Sequence, residues 1–257
     1  MNLKEILENK DLAILKKKTE IQKTDFSAIA LESIEKAYNN SISKLEVLVY
    51  EAVISKTRNE EMFKQYLNGW VLNHSVGMRY VKLLFCYNND DPSYSQEKEN
   101  FDKYYEQILN KDDVNEYFWA VIEAKNIEAS AVVKGSNFLT PVLSMENIDE
   151  DTIKVKVAVS PSNILDSHKD VHIPNIWKKT LKENNYDLLL QEHDMDFSKV
   201  ITDSITGDLK VYTEMIDVKL LMSKFSKQNK EEPSNHSKNK EEPSIDTPKT
   251  IKRSLLI

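Results

Sequence analysis

The stretch Trp70-Val-Leu-Asn-His-Ser-Val-Gly-Met-Arg-Tyr80 sets a short polar run inside apolar sequence, with Ser75 just ahead of a small-residue turn at Gly77 and of Arg79. Residues 76–87 then resume strand character. Two further polar intrusions accompany it. Leu188-Leu-Leu-Gln-Glu-His-Asp-Met195 ends an aliphatic run on His193, and Ile127-Glu-Ala-Ser-Ala-Val-Val133 holds Glu128 in what otherwise reads as a core strand. A serine hydroxyl is a poor nucleophile until a base takes its proton, and an imidazole serves best as that base when a carboxylate fixes its tautomer. Serine, histidine and carboxylate at the ends of hydrophobic strands are therefore the parts of a nucleophilic hydrolase.

Composition bounds the alternatives. The 257 residues are 40% hydrophobic and 30% charged, enough for one folded domain of roughly 150–200 residues plus appendages. The net charge of −7 argues against a basic face for nucleic acid, and none is expected as a partner. A single cysteine, Cys86 in Val81-Lys-Leu-Leu-Phe-Cys-Tyr87, precludes an intramolecular disulfide and reads as a small buried hydrophobe in a reducing compartment. No apolar run approaches the ~20 residues that span a bilayer. The opening Met-Asn-Leu-Lys-Glu lacks the apolar core of a secretion signal, so a soluble intracellular protein with no membrane partner is expected. With only four glycines, neither a dinucleotide fingerprint nor a Walker A loop can be assembled, and no cofactor is expected.

Along the chain, residues 1–43 read as an N-terminal helical region, with Leu3, Ile6, Leu7, Leu12, Ile14 and Leu15 near helical spacing and caps at Asp25 and Ser27. Leu45-Glu-Val-Leu-Val-Tyr-Glu-Ala-Val-Ile54 predicts a strand. Asn59 predicts the cap of a helix from Glu60 to about Asn68, ended by Gly69. Residues 88–116 read as a polar surface insertion with a helix over Gln96 to Leu109, followed by two strands, Tyr117–Ile122 and the segment around Glu128. Ser144-Met-Glu-Asn-Ile-Asp-Glu-Asp151 reads as an acidic connector, and Thr152–Ser160 alternates as a half-exposed strand. A turn over Asp166–Asp170, a helix from Ile176 to about Asn184, the His193 segment and a strand over Leu209–Ile216 complete a folded unit at 44–222. The expected fold is α+β, with a mixed β-barrel core and surrounding helices. From 223 to 257 the chain repeats Asn-Lys-Glu-Glu-Pro-Ser at 229 and 239 and is expected to be a disordered tail.

Ser75, His193 and Glu128 are the candidate nucleophile, general base and orienting acid. His74, although adjacent to Ser75, is expected on the opposite face of the strand. The plain alternative is a strand-end serine, a satisfied core histidine and a paired carboxylate. A competing constellation is Asp166, His168, Asp170 and His172, which in an extended strand would share one face and with His193 and Asp194 make a hydrolytic metal site. Asp166-Ser-His-Lys-Asp170 more naturally forms a turn, which destroys that face, and no metal is expected.

These segments resemble one family, the tailed-phage prohead proteases, serine endopeptidases related in fold to the herpesvirus assembly proteases. Leu165-Asp-Ser-His-Lys-Asp-Val-His-Ile-Pro174 with Trp177 is similar to the family's Asp-rich turn, and Leu189-Leu-Gln-Glu-His-Asp194 to the segment that supplies its catalytic histidine. Asn73-His-Ser-Val-Gly-Met-Arg79 resembles the nucleophile motif, and Glu123–Asn137 the strand carrying the third triad member. The resemblance spans roughly 45–87 and 117–216. It departs from the family in order: relatives usually run histidine, serine, acid, whereas Ser75 and Glu128 here precede His193. The chain reads as a circular permutation, with 144–151 joining the family's usual ends and new ends near 44 and 220. Lys169 and Asn175 stand where relatives often carry glycine.

The resemblance implies a herpesvirus-protease-like domain over 44–222 that cleaves scaffold and capsid precursor proteins during prohead maturation. Ser75 would be the nucleophile, His193 the base, Glu128 its orienter, and the loop Lys134-Gly135-Ser136 the candidate source of oxyanion N–H groups. It implies phage scaffold and major capsid proteins as partners, the protease itself as a substrate, and a location in the host cytoplasm, inside the assembling prohead. It also admits a homo-oligomer. The alternative is a catalytically inactive relative serving as a scaffold or minor capsid protein.

Overall fold

The β-branched run after residue 43 folds as a strand because both of its faces are apolar and both are covered. In the computed structural model, which describes residues 42–184 and 186–230, strand β1 (Lys44–Ser55) divides its side chains between two cores. Leu48, Tyr50, Ala52 and Ile54 face a main core, whereas Leu45, Val47 and Val49 face a second one. Helix α1 (Glu60–Leu67) starts where Asn59 Oδ1 accepts the Met62 N–H at 3.0 Å, and lays Met62, Phe63 and Tyr66 on the main core. Gly69 follows with φ 69°, a backbone that a side chain would strain.

The remaining elements are β2 (Asn73–Tyr87), α2 (Ser95–Tyr105), β3 (Tyr117–Val132), β4 (Val142–Asn147), β5 (Thr152–Pro161), β6 (Asp170–His172), α3 (Lys178–Glu183), β7 (Leu188–Gln191), β8 (Val200–Asp203), β9 (Leu209–Asp217) and α4 (Val218–Lys230). They form two sheets, an antiparallel one ordered β4-β5-β1-β9 and a mixed one ordered β2-β3-β7-β8 with β6 also on β3. The main core lies between them, drawing Val155 and Val157 from the first and Val121, Ala129, Ala131, Leu189 and Ile201 from the second. Each fully buried valine, leucine or isoleucine among them contributes about 1.5–3 kcal/mol. The α+β class stands, but the sheets are not closed into a barrel: no ladder joins them among the described residues. Alternation along a strand reports which face is buried and not whether a sheet closes.

Several boundaries differ from expectation. The two strands read around residue 120 and Glu128 are one, β3, paired along β2 from Asn73↔Val132 to Tyr87↔Tyr117. A register shift beside Ile127, between Gly77↔Glu128 and Met78↔Asn126, breaks the alternation that makes a long strand legible. The acidic connector is half strand: β4 pairs with β5 in a hairpin closing at Asn147↔Ile153. The insertion is more than solvated surface, because Phe101, Tyr104 and Ile108 bury themselves against Cys86, Phe118 and Ala120. It also clamps the chain near residue 165, where the Asn110 side chain donates to Leu165 O and accepts from Leu165 N. Residues 223–230 belong to α4, past the boundary expected at 222, since Leu221 and Phe225 pack on the second core. The N-terminal helices over 1–41 and the tail over 231–257 lie outside the described residues.

The two ends of the folded unit meet. Lys44 pairs with Asp217 across β1 and β9, and Val218 N donates to Ser43 O at 3.0 Å.

Candidate active site

Strand period and register put four small or polar residues on one face of β2 and β3. Ser75 lies directly opposite Ser130, and Gly77 opposite Glu128. Ala129 and Ala131, alternating with them, face the main core. The carboxylate of Glu128 reaches across its glycine partner: a Cβ built on Gly77 would overlap Glu128 Oε1 and sit 2.8 Å from its Cδ. Only glycine leaves room for the carboxylate there.

His193 arrives from the next strand of the same sheet. Strand β7 runs parallel to β3 with Ser130↔Leu190 and Ala131↔Gln191, and the chain then turns through Glu192 (φ 52°) and His193 (φ 58°). Two successive non-glycine residues in the left-handed region cost about 1–2 kcal/mol each. Hydrogen bonds hold the corner: Glu192 N donates to Ala131 O at 3.0 Å, Val133 N to Glu192 Oε1 at 2.7 Å, and His193 N to Ser130 Oγ at 3.0 Å. The corner points the imidazole at Glu128, with Nδ1 2.6 Å from Oε1. Glu128 is 3% exposed and His193 40%, so a buried carboxylate orients a partly exposed ring. The hydrogen bond that the ring donates to Glu128 is the main cause that raises the His193 pKa above its ordinary 6.5, against partial burial.

Ser75, Gly77, Glu128 and His193 line one cleft of about 680 Å³. Lys134, Gly135 and Ser136 form part of its wall, with Asp166, Ser167 and His168. Gly135 packs on the strand beside the candidate nucleophile: a Cβ there would lie 2.9 Å from His74 O. Ser167 N donates to Ser136 O at 3.1 Å, tying the Asp-rich turn to this loop. The residues singled out in the sequence thus converge on a single cleft. Ser75 Oγ is not hydrogen-bonded to His193 in this structure, and such contacts often close only around a substrate.

His74 and His172 are spent differently. His74 points away from Ser75, fully buried, with Nε2 2.9 Å from Tyr66 Oη and Nδ1 3.0 Å from Thr140 O. Burial pushes its pKa down to about 4, so it stays neutral. His172 is buried with Nδ1 2.7 Å from Ser160 Oγ. Asp166 accepts the backbone N–H groups of His168 and Asp170, and the Tyr80 hydroxyl donates to Asp170. The competing constellation is therefore a turn plus a core histidine. Among the described residues no group of three or more His, Cys, Asp or Glu side chains is placed to hold a metal ion. Cys86 is buried, its thiol pushed up to about 12 by desolvation, and does not reach the cleft.

Sequence reasoning missed Ser130, which is fully buried and donates to Glu128 Oε2 at 2.7 Å while accepting from His193 N. The available signal was its spacing, two residues from Glu128 on a strand and hence on the same face. Compared with protein-family models, with curated proteins and with solved structures, the chain finds no match in any of the three. No helix among the described residues is long and apolar enough to cross a membrane.

Proposed function

We propose that this chain is a serine endopeptidase of the prohead-protease type, with its segments in circularly permuted order on a herpesvirus-protease-like fold. The observation that carries the reading is the Glu128–His193 hydrogen bond of 2.6 Å in the cleft that Ser75 lines. Ser75 Oγ attacks a peptide carbonyl while His193 Nε2 takes its proton. Glu128 accepts the Nδ1–H and stabilises the imidazolium. His193 returns the proton to the leaving amine, and water, activated by the same ring, hydrolyses the acyl-enzyme. The backbone N–H groups of the loop Lys134-Gly135-Ser136 stabilise the oxyanion.

Two features support the permuted relationship. The β4–β5 hairpin makes a short junction where relatives have their ends, and the ends here are adjacent at Lys44 and Asp217, as a permuted domain requires. Lys169 (φ 65°) and Asn175 (φ 70°), at positions where relatives often carry glycine, both adopt the left-handed backbone that glycine favours. Asparagine tolerates that region, and Lys169 is held with Nζ 4.0 Å from the Tyr117 ring centroid. On this reading the substrates are phage scaffold and major capsid proteins and the chain itself, inside the assembling prohead in the host cytoplasm. The open Ser75–His193 contact favours the second reading, an inactive relative serving as a scaffold or minor capsid protein.

The test is hydrolysis of a proteome-derived peptide library by the purified full-length chain, followed by mass spectrometry. Cleavage unaffected by a chelator is expected. The base must be neutral to act, and the folded His193 pKa is raised, so kcat/KM on a cleaved peptide should rise with pH through a midpoint above 6.5. The stability contributed by the protonated His193–Glu128 pair has the opposite sense: it is fully present below pH 6.5 and lost as pH rises through the raised pKa. No cleaved peptide would leave the inactive relative, and chelator-sensitive cleavage would remove the serine mechanism.

A further inference from the structure

We infer that Ser130 is a positioning residue that locks His193 and Glu128 to each other, an inference that rests on the proteolytic reading above. A serine hydroxyl offers one donor and two acceptor sites. Ser130 spends the donor on Glu128 Oε2 at 2.7 Å and an acceptor site on the backbone N–H of His193 at 3.0 Å. One hydroxyl thus joins the carboxylate to the main chain of the residue whose ring that carboxylate orients. With Oε1 on His193 Nδ1 and Oε2 on Ser130, both oxygens of Glu128 are engaged and the carboxylate cannot turn without losing a bond. The need for such a tie is visible in the backbone. Glu192 and His193 are both left-handed, and among the bonds that hold this corner only the one to Ser130 engages the N–H of His193 itself.

Ser130 itself is fully buried and touches no substrate, so it acts through the pair. Without its hydroxyl, the His193 N–H and Glu128 Oε2 lose their partners, the corner relaxes, and the ring drifts from Glu128. Ser130→Ala should therefore lower kcat about 10- to 100-fold with KM little changed, since a misaligned base weakens only the transition state. It should also move the His193 titration midpoint down toward 6.5, because the Glu128 hydrogen bond is the main cause of the raised value. The other ionisable groups around the ring are Glu192 on its own corner and Tyr80, Lys134, Asp166 and His168 in the cleft, and the substitution changes none of them.

The experiment has two arms on the full-length chain. Kinetics on a cleaved library peptide compare wild type, Ser130→Ala and Ser130→Thr, where threonine keeps the hydroxyl and should restore most of kcat. NMR titration of the histidine rings uses the Ser75→Ala background, with and without Ser130→Ala, and His74 reports whether the strand pairing is intact. Ser130→Cys fills the same buried space with a weak hydrogen-bonding group and replaces the alanine variant if that one does not fold. A lowered His193 midpoint with undisturbed His74 signals supports the positioning role even in a chain that cleaves nothing, in which case only the peptidase reading falls. A midpoint that stays or rises, with wild-type kcat, overturns the positioning role and leaves the peptidase reading intact.

Discussion

Ser75→Ala is expected to lower kcat/KM by about 10⁴- to 10⁶-fold, the loss that follows removal of a nucleophile acting as one unit with its base. Ser75 stands opposite Ser130 on the strand pair whose next residues carry Glu128 and Gly77, and the cleft gives its hydroxyl a face shared with the His193 ring. The substitution removes one hydroxyl from a half-buried position and leaves every hydrogen bond described above in place. Stability should therefore stay within about 0.5 kcal/mol of wild type. His193→Ala should cost about as much activity, and the double variant little more than either alone, because neither residue does chemistry without the other. Intact-mass spectrometry adds a second readout: any self-processing of the wild-type chain should disappear in Ser75→Ala. Processing unchanged in the variant would remove Ser75 from the mechanism.

Gly77→Ala is the second large effect, and it is less obvious because the residue carries no functional group. The added Cβ would occupy the space of Glu128 Oε1, so the carboxylate must leave the position from which it binds His193. Relief by backbone motion is resisted, since β2 and β3 are paired on both sides of this point. Overpacking of this kind costs about 1–3 kcal/mol of stability, which a domain of this size should survive. Activity should fall by up to about 10⁴-fold, as when an orienting acid no longer holds its histidine in the correct tautomer. The His193 midpoint should fall with it, because its raised value comes chiefly from Glu128. A folded Gly77→Ala chain with wild-type kcat would show that the carboxylate's place opposite residue 77 does not matter to catalysis.

Much of the site was legible because polar residues inside apolar strands are conspicuous. Glu128 interrupts a run of aliphatic residues, and burying a polar group without a purpose is costly enough that the interruption carries information, whereas the half-buried Ser75 and the exposed His193 stand out as polar residues beside or at the end of such runs. Ser130 interrupts nothing more than Glu128 already does. Its role depends on a backbone N–H 63 residues away, a distance no local pattern spans. The same limit applies to the fold. The long strand β1 and the Asn59-capped helix announce themselves, whereas β6, β7 and β8, with three or four residues each, are too short to show a period. Whether the strands close into a barrel depends on pairings between distant segments, and the barrel expected from strand content is in fact two open sheets.

Reactivity of Ser75 toward an alkyl fluorophosphonate is the most direct measurement, because it asks whether one hydroxyl is activated by one imidazole. The full-length chain is treated near pH 8, digested, and every serine-containing fragment is weighed. A phosphonyl adduct on Ser75, formed with loss of fluoride and absent from His193→Ala, is the expected result. Peptide cleavage by a chain whose Ser75 stays unmodified, or an adduct that forms equally well without His193, would show that hydroxyl, imidazole and carboxylate do not work together in this cleft.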